Sequence, residues 1–232
     1  MKKLSSFVMF TAMLLLTAAS DGQSKETRDV KGFTKVAFGV SGDLFITIGP
    51  EYSLTMEGDK DVLDRIETDV SGDRLIIRRE NWKFSFGEGR VTINLTMPKL
   101  ESLGVSGSGK ARIMDNIEAD NLNLNVSGSG KLTTSGLNVD NLECGISGSG
   151  DVVLGQEGSI DNGTISISGS GGFSGESVGI DHLDVRVSGS GNCSCKVGDS
   201  LTAHISGSGN VTYSGNPKID AHVSGSGHVR SR

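Results

Sequence analysis

The tetrapeptide Ser-Gly-Ser-Gly occurs seven times, beginning at Ser106, Ser127, Ser147, Ser168, Ser188, Ser206 and Ser224, at intervals of 21, 20, 21, 20, 18 and 18 residues. So regular a period, at this length, marks a solenoid built from one supersecondary unit per repeat. With the first Ser of each copy as zero, positions −5, −3 and −1 are all apolar in five of the seven copies, as in Leu122, Leu124 and Val126 or Leu183, Val185 and Val187. Positions +5 and +7 are apolar in most copies, as in Val152 and Leu154. Alternation with period two describes strands with one buried face. The tetrapeptide continues the alternation, which puts its serines outward in two columns and its glycines inward. Glycine weakens a strand interior, so each inward glycine needs a cause: a sharp corner, or an opposing wall that leaves no room for a side chain. The opposite facing, with buried serines bonded to one another, is the alternative.

The glycines so implicated are Gly107, Gly109, Gly128, Gly130, Gly148, Gly150, Gly169, Gly171, Gly189, Gly191, Gly207, Gly209, Gly225 and Gly227. Rungs in a solenoid lie about 4.8 Å apart, so seven make a rod of roughly 34 Å. No helical pattern separates the strands, which argues against a βαβ sheet or a leucine-rich horseshoe. The fold class is therefore all-β: a parallel β-helix with rungs of 18–21 residues, expected to be right-handed.

Residues 1–20 read as a secretory signal peptide. Lys2 and Lys3 precede an apolar run from Phe7 to Ala19, and Ala18-Ala19-Ser20 is a small-residue cleavage site. No Cys stands at that point for a lipid anchor, the first being Cys144, and no later stretch is apolar enough to span a bilayer. The chain is thus expected in the periplasm, on the cell surface or in the medium. Without Lys2 and Lys3 the mature chain has 20 basic and 28 acidic residues, a net charge of −8, which argues against nucleic acid as a partner. Residues 21–29 read as a flexible mature N-terminus and 30–232 as one domain, irregular over 30–99 and regular over 100–232.

In the irregular front, Val40-Ser41-Gly42-Asp43 and Val70-Ser71-Gly72-Asp73 look like degenerate repeats, and Asp61–Glu67 has the spacing of one or two helical turns. Larger rungs with Trp82, Phe84 and Phe86 would cap the solenoid, as terminal repeats require. Alternatively Tyr52, Trp82 and Phe84 would form an aromatic platform for sugar rings. The serial Ser-Gly-Ser-Gly copies, Thr96-Met97-Pro98-Lys99-Leu100 before the first and Tyr213-Ser214-Gly215-Asn216-Pro217 before the last resemble the putative auto-transporter adhesin head (GIN) domain family of exported bacterial proteins. The resemblance covers residues 30–230. It implies a β-helix and brings no catalytic residues with it.

A solenoid turns positions into ladders. Position −7 holds Asp120, Asp140, Asp161, Asp181 and Asp199, with Asn121, Asn141 and Asn162 following three of them. Turn chemistry explains Asp and Asn at a strand entry; a Ca²⁺ column relieving carboxylate repulsion is the alternative. No other cofactor is indicated. Position −2 holds Arg186, His204 and His222, an outward polar column or, at most, a two-imidazole metal site. Cys144, Cys193 and Cys195 take inward positions and read as small core residues. No paired acid/base cluster or nucleophile elbow is present.

The sequence therefore points to a non-enzymatic, adhesin-like envelope protein with an unknown protein or glycan ligand. A glycan-binding or polysaccharide-degrading β-helix is the other reading. The last rung has an edge that invites a second copy, unless His228, Arg230 and Arg232 guard it.

Overall fold

A computed structural model describes residues 23–79 and 89–232. Residues 1–20, read from sequence as a signal peptide, and Trp82, Phe84 and Phe86 lie outside the described residues. Alternation of apolar and polar residues produces strands almost throughout. The front contains β1 (Gln23–Arg28), β2 (Lys35–Gly39), β3 (Asp43–Ile48), β4 (Ser53–Asp59), α1 (Lys60–Leu63), β5 (Ile66–Ser71), β6 (Arg74–Arg79), β7 (Thr92–Met97) and β8 (Ser102–Gly107). The repeats form β9 (Lys110–Gly128), β10 (Lys131–Gly148), β11 (Asp151–Val153), β12 (Glu157–Gly169), β13 (Gly172–Gly189), β14 (Asn192–Gly207), β15 (Asn210–Gly215), β16 (Lys218–Gly225) and β17 (His228–Ser231).

The result is a parallel β-solenoid of about six turns, with a mixed sheet at its front. Each regular rung has three arms. In the β10 rung they are residues 131–134, 136–139 and 142–147, with Leu132, Val139, Leu142, Cys144 and Ile146 turned inward. Adjacent exposed pairs such as Asp140-Asn141 mark a corner where the alternation changes phase. Repeats of different length are reconciled in the middle arm. Pairing slips there from Gly175↔Cys195 to Gly179↔Lys196, so the 18-residue rung skips part of that arm while the other two stay in register.

The Ser-Gly-Ser-Gly corner uses both causes open to glycine, one per position. The first glycine takes a left-handed conformation, φ +108° at Gly128 and +119° at Gly169, which side-chain-bearing residues avoid. It is the bend itself and faces the rung before it: a Cβ at Gly128 would lie 2.6 Å from the Gly107 carbonyl oxygen. The expected inward facing therefore fails for this glycine. The second glycine does face the core, where a Cβ on Gly130 would lie 2.9 Å from Val105 Cγ1. Both serines of each copy are exposed. Backbone bonds continue through the corner, with Ser129 N–H donating to Gly107 O at 2.8 Å and Lys131 N–H to Gly109 O at 3.0 Å.

At the front, chain order and stacking order part company. The third-arm sheet runs β6–β2–β8–β9, and the first-arm sheet β7–β3–β9, all parallel. The rung holding β2 and β3 thus sits between β6–β7 and the regular repeats, though it precedes both in the chain. Val40–Asp43 is a true rung corner: Gly42 O accepts from Lys110 N–H at 2.8 Å and the Ser41 and Ser108 hydroxyls are 3.0 Å apart. Val70–Asp73 is not; it spans the two-residue turn of the antiparallel β5–β6 hairpin, with Gly72 at φ +60°. Antiparallel strands close the front, β5 on β6, β4 on β7 and β1 on β4. Residues 21–29 were expected to be flexible; instead Gln23–Arg28 is paired along its length with 54–59. Alternate residues of that strand are half-buried, which explains why so polar a segment is held. Phe33, Phe38, Met56 and Met97, each at most 1% exposed, belong to this front.

Candidate functional site

The third arms make a flat face of nine parallel strands, β6–β2–β8–β9–β10–β12–β13–β14–β16. Every second residue points to solvent, and stacking aligns these side chains in columns. One column runs Arg74, Lys35, Ser102, Asn123, Glu143, Thr164 and on to Asp220. Another contains Asn121, Asn141 and Asn162, whose amides form a ladder: Asn141 Nδ2 donates to Asn121 Oδ1 at 3.1 Å and Asn162 Nδ2 to Asn141 Oδ1 at 3.2 Å. A third is the serine column from Ser106 to Ser224.

Where this face meets the front, a polar groove of about 860 Å³ opens between Lys35, Arg74 and Lys99 on one side and the Asn121–Asn141–Asn162 ladder on the other. Its floor is pre-organised. Lys35 Nζ lies 2.7 Å from Asp73 Oδ2, and Lys99 Nζ 2.8 Å from Glu101 Oε1. Thr34 Oγ1 donates to the other Glu101 oxygen at 2.8 Å, and Asn123 Nδ2 to Glu143 Oε2 at 2.8 Å. The Lys99 hydrogen bond, helped by Thr34, holds the Glu101 carboxyl below the usual carboxylate range, and Glu101 in turn raises Lys99. Lys35 lowers Asp73 in the same way. Arg74 makes no ion pair among the described residues, so its guanidinium fork faces the groove unspent. Amides and carboxylates held by one another, with the Arg74 guanidinium beside them, suit the many hydroxyls of a polar chain. The sequence reading missed this groove because Lys35, Arg74 and Lys99 become neighbours only through the non-sequential front.

The residues singled out from sequence fare differently. Asp120, Asp140, Asp161 and Asp181 stand exposed at one corner, where the Asp120 carbonyl accepts from Asn141 Nδ2 at 3.3 Å. Asp199 leaves the line: the register slips between Ile180 and His182, placing Asp199 Oδ2 3.9 Å from His182 Nε2. Among the described residues no three His, Cys, Asp or Glu side chains gather as a metal ion would need. His204 and His222 stack with ring centroids 5.3 Å apart, and Arg186 pairs with Asp184 at 2.8 Å. Tyr52 is not displayed as a platform; its ring packs 4.8 Å from Phe33 and its hydroxyl donates to Phe33 O at 2.9 Å. Cys144, Cys193 and Cys195 are buried, unbridged core residues. Burial pushes the Cys144 thiol up to about 12. Cys193 is raised by its hydrogen bond with Cys195 and by burial. Among the described residues no helix is long and apolar enough to cross a membrane.

Solved structures share this architecture. A putative adhesin from Bacteroides fragilis is 23% identical, with a TM-score of 0.84 over 92% of this chain and 98% of its own. A putative adhesin from Parabacteroides distasonis is 20% identical, with a TM-score of 0.75 over 91% and 98%. A putative lipid binding protein from the same species is 22% identical, with a TM-score of 0.72 over 91% and 97%. At these identities the likeness is one of fold, and two different descriptions attach to that fold. No curated protein matches the sequence. The profile of one family, described as putative auto-transporter adhesin, head GIN domain, matches residues 32–217. With that span matched, and with the repeated glycine corner and the solenoid it builds, the chain belongs to this family of putative adhesins.

Proposed function

We propose that the protein is exported and non-enzymatic, an adhesin-like component of the cell envelope that binds a glycan chain along its flat third-arm face. The observation that carries the reading is the polar groove that Lys35, Arg74 and Lys99 line together with the Asn121–Asn141–Asn162 ladder. A face of parallel strands is rigid, and its polar side chains are already oriented by one another, which lowers the ordering cost of binding. Export rests on the signal-like residues 1–20 and is tested by the N-terminus of the protein recovered from the envelope fraction.

Ligand binding is tested on a glycan array with the mature protein and with Arg74→Ala and Asn141→Ala. Binding that falls tenfold or more in both variants is the expected result. A blank array, or binding untouched by both, overturns the reading. Depolymerisation of a bound polysaccharide, lost on changing one carboxylate such as Glu143, would replace it with the enzymatic alternative.

A further inference from the structure

The back of the rod is built unlike the rest. All eight residues of β16 are exposed, and Ile219 and Val223, inward by position, are 47% and 43% exposed. Their counterparts one rung earlier, Leu201 and Ile205, are 0% and 3% exposed. Core side chains and a row of strand hydrogen-bonding groups are thus bare together, the combination that recruits another strand. The charged residues expected to guard the end do not cover this arm. His228 and Arg230 lie on β17, which stacks on the first arm, and Arg232 reaches back to Glu176.

We infer that a second copy of this chain covers β16, joining two rods tail to tail about a two-fold axis through Ala221. Head-to-tail stacking is blocked, because the outer sides of β6 and β7 are already taken by β5 and β4. The front's own edges, β1 and β5, carry Lys25, Glu26, Arg28, Glu67 and Asp69, the usual protection against pairing. Antiparallel self-pairing must oppose residues of the same facing. Centring on Ala221 uses nearly the whole of β16. It sets Ile219 against the partner's Val223 on the core side, and Asp220 against the partner's His222 on the outer side. Both pairs occur twice, as a two-fold interface requires. Centring on Asp220 would set that carboxylate against itself. A rod end is small beside the ~800 Å² per partner of a standard interface, so the dimer is weak, with a dissociation constant on the order of 10⁻⁴ M.

Sedimentation velocity of the mature protein, from micromolar concentration upward, should show concentration-dependent dimer. Val223→Lys should abolish it without altering circular dichroism, since that side chain is already half exposed. Mild oxidation should trap Ala221→Cys as a covalent dimer, because position 221 meets itself, within disulfide reach. Lys218→Cys should not cross-link, its partner copy being about 20 Å away along the strand. A monomer at every concentration with no Ala221→Cys dimer, as when a different protein's strand occupies the edge, overturns the inference. So does a dimer that survives Val223→Lys, or equal cross-linking at both positions.

Discussion

The two ends of the rod solve the same problem in opposite ways. At the front, β4 and β5 run antiparallel to the solenoid strands they meet, β7 and β6, and β1 pairs antiparallel with β4; these strands satisfy the outer backbone groups and, with α1, bring Leu54, Met56 and Leu63 over the first rungs. At the back, β16 and β17 simply repeat the rung pattern, and the core positions of β16 lie open. A strand that continues the repeat can never close it, because each rung presents the same edge as the one before. Closure needs a change of direction, and a change of direction needs a sequence that leaves the repeat.

The largest effect is expected midway, where neither end helps. Gly150→Val would put side-chain atoms against the Gly130 carbonyl oxygen and Val126 Cγ1, each 2.5 Å from the Cβ position. A loss of about 3 kcal/mol or more follows, read as a collapsed urea midpoint or failure to fold. Next, the ends should differ in what a core truncation costs. Leu95→Ala, between β4 and the core at 1% exposure, should cost about 3 kcal/mol. Ile219→Ala, at 47% exposure, should cost less than about 1 kcal/mol in dilute solution. Equal costs would mean that the back end is covered after all.

Amide hydrogen exchange gives the same contrast without mutation. Protection should be greatest in β7, β9 and β10 and least in β16 and β17, which open locally without unfolding the rod. Native thiols should be silent to a thiol reagent until the rod unfolds, since all three are buried and both Cys144 and Cys193 are raised well above the ordinary thiol range. Early reaction of Cys193 or Cys195 ahead of Cys144 would show fraying from the back.

The smallest effect belongs to the groove. The Glu101 carboxyl is held below its ordinary range by Lys99 and Thr34. Its contribution to stability is therefore full above the ordinary carboxylate value and fades as pH falls through the lower, folded-state one. Wild type should melt slightly above Glu101→Gln at pH 7, and the two should converge in acid. The difference is small, because the pair is partly solvent-exposed.

Much of the regular rod was legible beforehand. Leu122, Leu124 and Val126 point inward, Ser127 and Ser129 outward, and Gly130 is excluded from bearing a side chain by Val105, as alternation requires. The first glycine of each pair was misplaced because a corner breaks the alternation, and spacing alone does not reveal a left-handed residue. The middle arm was hidden for the same reason: its phase changes at Asp140-Asn141 leave the apolar count unchanged.

By itself, the sequence determined the period, the facing of the strand side chains and the recurrence of a glycine requirement in every rung. These arise from contacts between neighbouring rungs about 20 residues apart, restated in every repeat until they stand out. Tertiary structure alone decided the front and the groove. Thr34 meets Glu101, Ser41 meets Ser108 and Ile48 N–H meets Asp115, each across 67 residues and each only once. A contact made once leaves no period to read. It is settled by which strand can satisfy an open edge and bury the large side chains of the front, and that competition is decided only in the assembled fold.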